Sequence, residues 1–143
     1  MPTPLLDRIR AAAIATPALT ALLGTNPFRW YDTQLAQGSA FPAVVAQIIS
    51  SSKTYNVAGR MTNGNSRVQF TIWSTNTGSG MTARANVESA LATFLDGLNL
   101  IGIPGLLQYP NYIVGARDGW VALPQPGNPL KLIDAMVFSN DSL

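Results

Sequence analysis

Hydrophobic and polar positions alternate most regularly in residues 66–74, which read SRVQFTIWS. Val68, Phe70 and Ile72 fall on one face of an extended chain, and the residues between them fall on the other. This two-residue period predicts a strand with one buried face. Trp73 breaks the pattern, because the largest side chain stands on the polar face. We expect it to be covered either by the N-terminal helices or by a different chain.

A second pattern, with a period near 3.6 residues, runs from about Thr82 to Leu98. Its apolar stripe consists of Val87, Leu91, Phe94, Leu95 and Leu98. Such a stripe is typical of a helix that lies on a sheet. The sequence therefore predicts that this helix covers the face formed by Val68, Phe70 and Ile72.

Two Thr-Pro pairs near the N-terminus predict helix starts. Thr3-Pro4 and Thr16-Pro17 each place a capping residue before a proline at the first helical position. The second helix is expected to stop at Gly24. Because Pro17 lacks a backbone donor, two short helices are expected rather than one continuous helix.

Apolar and β-branched segments predict the remaining strands. They are a short strand at Phe28–Tyr31, a central strand at Ala43–Ser50, two short strands at Tyr112–Ala116 and Gly119–Leu123, and a final strand at Lys131–Ser139. Residues 51–65 indicate a polar hairpin arm, with turn chemistry at Thr62–Ser66. The Gly-rich segment Ser74–Thr82 is interpreted as a loop.

This order of elements predicts an α+β fold. We expect a mainly antiparallel sheet of about four or five strands, with two short N-terminal helices and one longer helix packed mostly on one face. The length of 143 residues fits a single domain spanning residues 1–143.

Composition adds an unusual shortage of charge. Hydrophobic residues make up 47% of the chain and charged residues only 11%, against about 25% in typical globular proteins. Either partners hide part of the surface, or long loops are polar without being charged. The net charge of +2 comes from scattered residues without a basic cluster. This distribution argues against tight nucleic-acid binding.

The absence of cysteine and histidine excludes much chemistry. Disulfides, thiolate nucleophiles, His or Cys metal sites and Ser-His-Asp triads cannot form within this chain. The seven acidic residues show no local pair typical of an acid/base dyad or a metal site. We expect no enzyme activity, no cofactor and no metal. An enzyme would require Asp and Arg side chains that converge in a cleft with perturbed pKa values.

Large amphipathic side chains and arginines are the remaining candidates for function, because such residues are enriched in interface cores. For any one aromatic residue taken alone the core is the favoured place, whereas the arginines fit a solvated face as well as they fit contacts to a neighbouring subunit. The candidate subunit or partner interface residues are Trp30, Tyr31, Arg60, Arg67, Trp73, Tyr109, Tyr112 and Trp120. A different hypothesis takes residues 109–123 as the wall of a small-ligand or peptide pocket.

The assembled pattern resembles the tail terminator proteins of long-tailed phages, also called tail-completion or tail-to-head joining proteins. PALTALLG followed by FRWYDTQLAQGSAFPAVVAQ is similar to that family's short helix, variable loop and proline ahead of an apolar strand. SRVQFTIWSTNTGSGMTARANVESALATFL is similar to its strand, short loop and amphipathic helix, and KLIDAMVFS resembles its closing strand. The Pro- and Gly-rich residues 100–129 depart from the family pattern.

The resemblance implies a non-enzymatic structural protein of the virion, located in the tail or neck and assembled in the host cytoplasm. It implies no membrane partner. Family members form a homo-hexameric ring that caps the tail tube, stops polymerisation of the major tail tube protein and docks to the head connector or head-closure protein. DNA passes through the channel without specific binding, which agrees with the lack of basic clusters. A head-closure protein or another neck component is the alternative within this class.

Overall fold

The computed structural model describes residues 5–25, 27–35, 40–56, 59–74, 78–97, 112–121 and 128–140. Its elements are α1 (Leu5–Ile14), α2 (Pro17–Leu23), β1 (Trp30–Asp32), β2 (Ala43–Asn56), β3 (Gly59–Trp73), α3 (Gly78–Gly97), β4 (Tyr112–Val121) and β5 (Asn128–Asn140). The predicted order of helices and strands, and with it the α+β fold class, is confirmed.

The strands form one five-stranded sheet in the order β1-β2-β3-β5-β4. β1 runs parallel to β2, and the other neighbouring strands are antiparallel. A mainly antiparallel sheet was expected, and the short parallel strand β1 is the exception.

All three helices contribute side chains to one core on a single side of the sheet. Leu5 and Ile9 from α1, Leu19 and Leu23 from α2, and Val87, Leu91, Phe94 and Leu95 from α3 belong to the same cluster as Val68, Phe70 and Ile72. The last three side chains are each 0% exposed. Burying one such side chain contributes about 1.5–3 kcal/mol. The predicted packing of the long helix on this face of β3 is confirmed.

The break between α1 and α2 lies at Thr16, as expected. Thr16 has an extended backbone and makes no side-chain cap, because its hydroxyl donates a hydrogen bond to the Ala12 carbonyl at 2.9 Å. Gly24 ends α2 with φ of 82°, a left-handed conformation that glycine adopts without strain. A Cβ at Gly24 would also lie 3.0 Å from the Arg29 guanidinium.

The turn predicted at Thr62–Ser66 is wrong. This segment lies inside β3, where Gly64 pairs with Lys53 of β2 and with Ser139 of β5. The chain instead reverses between Asn56 and Gly59. Pairing on both sides holds the Asn-Gly segment extended, so tertiary contacts override its local turn preference.

Other boundaries also differ from the prediction. The segment expected to form two short strands is the single strand β4, since its central residues pair with β5 from Ala116 through Gly119. α3 begins at Gly78, within the predicted loop. β1 is shifted to Trp30–Asp32, and β5 begins at Asn128, before the predicted Lys131.

Candidate interaction surface

The side of the sheet opposite the helical core, here called the outer face, is the candidate functional surface. By strand alternation and the observed register, its members with described side chains are Tyr31, Ala43, Val45, Gln47, Arg67, Gln69, Thr71, Trp73, Leu132, Asp134 and Met136. Most are half-buried, while Ala43, Val45 and Asp134 are buried. One row of this face crosses the sheet through Tyr31, Val45, Thr71 and Leu132.

An ion pair stands near the middle of the outer face. The Arg67 Nη2 atom lies 2.8 Å from Asp134 Oδ2, and the side-chain exposures are 41% and 7%. They are the charged pair among the outer-face members named above. The Asp134 carboxylate is buried, and the arginine compensates its charge. The pair therefore neutralises this part of the surface while leaving the guanidinium half open to a partner.

Trp73 is half-buried on the outer face and stacks on Phe41. The two ring centroids lie 6.4 Å apart, with an angle of 13° between the ring planes. The helical core lies on the other side of β3, so cover by the N-terminal helices, one of two expected possibilities, is wrong. Phe41 supplies part of the cover instead, and a neighbouring subunit remains a prediction.

Arg29 holds the segment Phe41-Pro42, which places the Phe41 ring against Trp73. Its Nε donates a hydrogen bond to the Pro42 carbonyl at 2.8 Å, and its Nη2 donates to the Leu22 carbonyl at 3.0 Å. The Phe41-Pro42 peptide bond is cis. The arginine thus ties the C-terminal turn of α2 to the start of β2. Neither Arg29 nor Phe41 is among the residues predicted from the sequence. The Phe41-Pro42 pair was the signal that could have pointed to this segment.

A cavity of about 180 Å³ adjoins this segment, between the start of β2, the end of β3 and the first turn of α3. Its lining is Phe41, Pro42, Ser74, Ser79, Gly80 and Ala83. None of these residues comes from 109–123, the segment that the ligand-binding hypothesis required. This cavity therefore gives that hypothesis no support.

Trp30 belongs to the helical core and not to the outer face. It is 1% exposed, and its ring lies 6.1 Å from Phe28, 5.7 Å from Phe70 and 6.1 Å from Phe94, measured between ring centroids. The ring is therefore enclosed by its own chain. This placement removes Trp30 from the surface that a partner could contact.

The other predicted interface residues occupy three places. Tyr31 lies on the outer face, next to Val45 in the register. Arg60 pairs with Tyr55 near the tip of the β2–β3 hairpin. In β4, Tyr112 pairs with Met136 and Trp120 with Pro129. Tyr109 lies outside the described residues. The structure thus brings Tyr31, Arg67 and Trp73 onto one face. For Arg60, Tyr112 and Trp120 it gives the residues with which their backbones pair.

A polar cluster joins the end of β1 to α1. Arg10 Nε donates a hydrogen bond to the Trp30 carbonyl at 3.3 Å, and its guanidinium lies 5.7 Å from the centre of the Phe28 ring. Burial raises the pKa of Asp32, the neighbouring Asp7 raises it further, and Arg10 opposes both effects. Within the described ranges, no group of three or more acidic side chains could hold a metal ion.

None of the helices in the described part of the chain is long and apolar enough to cross a membrane.

Comparison with known proteins identifies the family of this chain. The sequence model of the family described as tail completion protein gp17 matches residues 7–102. The chain therefore belongs to this family, and it is a structural protein of the phage tail. The resemblance to tail-completion proteins is confirmed.

A solved structure shares the fold. One chain of the virion of a native gene transfer agent particle aligns with a TM-score of 0.61 and 15% sequence identity, over 93% of this chain and 92% of that chain. At this level of identity, the likeness concerns the fold. Comparison with curated protein sequences gives no match.

Proposed function

We propose that the protein forms a homo-hexameric ring that caps the completed tail tube. In this role it stops polymerisation of the major tail tube protein, and it offers a docking surface to the head connector or head-closure protein. The observation that supports this most strongly is the match of residues 7–102 to the tail completion family.

Outer-face residues are the proposed contacts of each subunit with its neighbour or with the tube. Trp73 presents a half-buried aromatic ring, and Arg67 is held by Asp134 with part of its guanidinium accessible. Aromatic residues and arginine are the types enriched at protein interfaces. Tyr31 adds a second half-buried aromatic residue on the same face. Arg60, Tyr109, Tyr112 and Trp120 remain predicted contacts.

The proposed mechanism is steric and requires no catalytic group or cofactor. A cap ends polymerisation when it covers the growing end of the tube without presenting a copy of that end. The same ring would leave a central channel for DNA. The chain carries a net charge of +2, so a ring would hold DNA weakly and allow its passage.

The mass of the assembled particle tests this proposal. We expect light scattering to give the mass of a hexamer of 15.2 kDa subunits, alone or after addition of purified tail tubes, and negative-stain images to show rings at tube ends. A monomer that stays monomeric at high concentration and with tubes present would overturn the proposal. Binding to the connector without binding to tubes would instead identify a head-closure protein.

Polymerisation of the tube protein gives a functional readout. Adding the protein to growing tubes should stop their elongation. Tubes that elongate equally in its presence would contradict a capping role even if a hexamer forms.

A further inference from the structure

Among the described residues, the sheet has two edges whose backbone groups have no strand neighbour. β1 pairs only with Val44–Ala46 of β2, so the edge of β2 from Gln47 to Asn56 has no strand neighbour among the described residues. β4 is the last strand on the other side of the sheet, and no described strand lies beyond it. Unpaired N–H and C=O groups on such edges can pair with another chain.

Thr33, the residue after β1, has a strained backbone at the point where the pairing between β1 and β2 ends. Thr33 follows β1 with φ of 73°, a conformation that is uncommon for a β-branched residue. Its N–H still donates to the Ala46 carbonyl at 2.8 Å, and the parallel pairing stops there. The left-handed conformation is unfavourable for an L-residue. The chain therefore accepts strain at the point where β1 leaves β2.

Both edges lack proline, the residue that most firmly blocks pairing. Residues 47–56 read QIISSSKTYN and contain one lysine, while residues 112–121 read YIVGARDGWV and contain one arginine beside one aspartate. Register irregularities interrupt β2 between Ile48 and Ser50 and between Lys53 and Tyr55. Only Ser50–Lys53 lies between these irregularities. A strand that pairs with this edge can therefore form a regular ladder over a short length.

We propose that the open edge of β2 in one subunit pairs with the open edge of β4 in the next subunit of the ring. A closed ring requires two different surfaces on each subunit, joined head to tail, and two opposite edges of one sheet provide such surfaces. The second copy is the favoured occupant because this chain contains both complementary edges. This inference rests on the ring proposed above, and it names the contact that joins neighbouring subunits.

Cross-linking between introduced cysteines tests the contact directly, because the chain contains no cysteine of its own. The double variant Ser52→Cys/Ala116→Cys places one thiol on each edge. Opposed and diagonal residues of paired strands lie about 4.5–8 Å apart, so a short thiol-to-thiol cross-linker can join them across a range of registers. We expect assembled hexamers to give a covalent ladder extending to six linked chains.

The single variants and the particle mass separate the possible results. Ser52→Cys alone and Ala116→Cys alone should give no linked species if β2 meets β4. Dimers from Ser52→Cys alone would indicate β2 against β2 and would overturn the inference. Hexamers of the double variant that do not cross-link would overturn the edge contact while leaving the ring intact. Failure of both the cysteine-free chain and the double variant to assemble, even with tubes, would overturn both.

Discussion

Strand β3 has two sides with opposite character. Val68, Phe70 and Ile72 face the helices and are fully buried, whereas Arg67 and Trp73 on the outer face are half-buried. Because side chains alternate along a strand, β3 presents two different surfaces. Its helix side belongs to the hydrophobic core, and its outer side carries residues that we propose for assembly.

Phe70→Ala should have the largest effect on stability. The ring is 0% exposed and lies 5.7 Å from Trp30 between centroids, so its loss removes apolar contacts and leaves a cavity. We expect the free energy of unfolding to fall by about 3–5 kcal/mol, measured by urea denaturation. The matched control Thr71→Ala, one residue along on the outer face, should cost less than about 1 kcal/mol. Equal losses would contradict the division between the two faces.

Much of the helix side could be predicted from the sequence because its signals are local and periodic. The alternation around Phe70 identified the buried face of β3, and the stripe from Val87 to Leu95 identified its cover. Pro17 and Gly24 marked the bounds of α2 in the same local way. Each of these signals reflects a preference that tertiary contacts reinforce.

Features that depend on distant residues could not be predicted. Asn63-Gly64 has strong turn chemistry, but pairing with β5 holds it in a strand. The sequence predicts Trp30 as an interface residue, but Phe28, Phe70 and Phe94 surround its ring in the folded chain. The stacking of Phe41 on Trp73 likewise joins residues far apart in sequence, and no periodic pattern reports such a contact.

Trp73→Ala should separate stability from assembly. Half-burial and one stacked aromatic neighbour predict a loss of about 2 kcal/mol in the free energy of unfolding, less than for Phe70→Ala. The monomer should stay folded by circular dichroism. Light scattering should show a clear loss of hexamer if a neighbouring subunit covers the ring.

Phe41→Leu is the matched control for this change, since it removes the stacked ring and leaves the tryptophan in place. It should retain assembly with a smaller loss of stability. A Trp73→Ala protein that forms hexamers at the original concentration would show that Trp73 stabilises the monomer and makes no contribution to assembly.

Removal of Arg67 should have a moderate effect that depends on Asp134. Arg67→Ala leaves the Asp134 side chain, which is 7% exposed, without the guanidinium at 2.8 Å. Because the arginine is 41% exposed and water can partly replace it, we expect a loss of about 1–2 kcal/mol. The double variant Arg67→Ala/Asp134→Ala should recover part of this loss. Additive losses in the double-mutant cycle would show that the pair is not coupled.

Asp32→Asn should have the smallest effect on stability, and the change should be stabilising. It tests whether the negative charge of Asp32, at the end of β1, destabilises the folded protein. The pKa of Asp32 is raised by burial and by Asp7, so the ionised carboxylate is less favourable in the folded protein than in the unfolded chain. As pH rises from below the unfolded pKa of 3.8 through the folded pKa, the protein loses stability relative to the amide variant. The variant should therefore have a slightly higher Tm at neutral pH, and this gain should disappear in acid.

Asp7→Asn should reproduce part of this gain in Tm, because Asp7 is a smaller cause of the raised pKa of Asp32 than burial is. An equal rise in Tm at neutral and acidic pH would mean that shape or hydrogen bonding is responsible, and not the charge of Asp32.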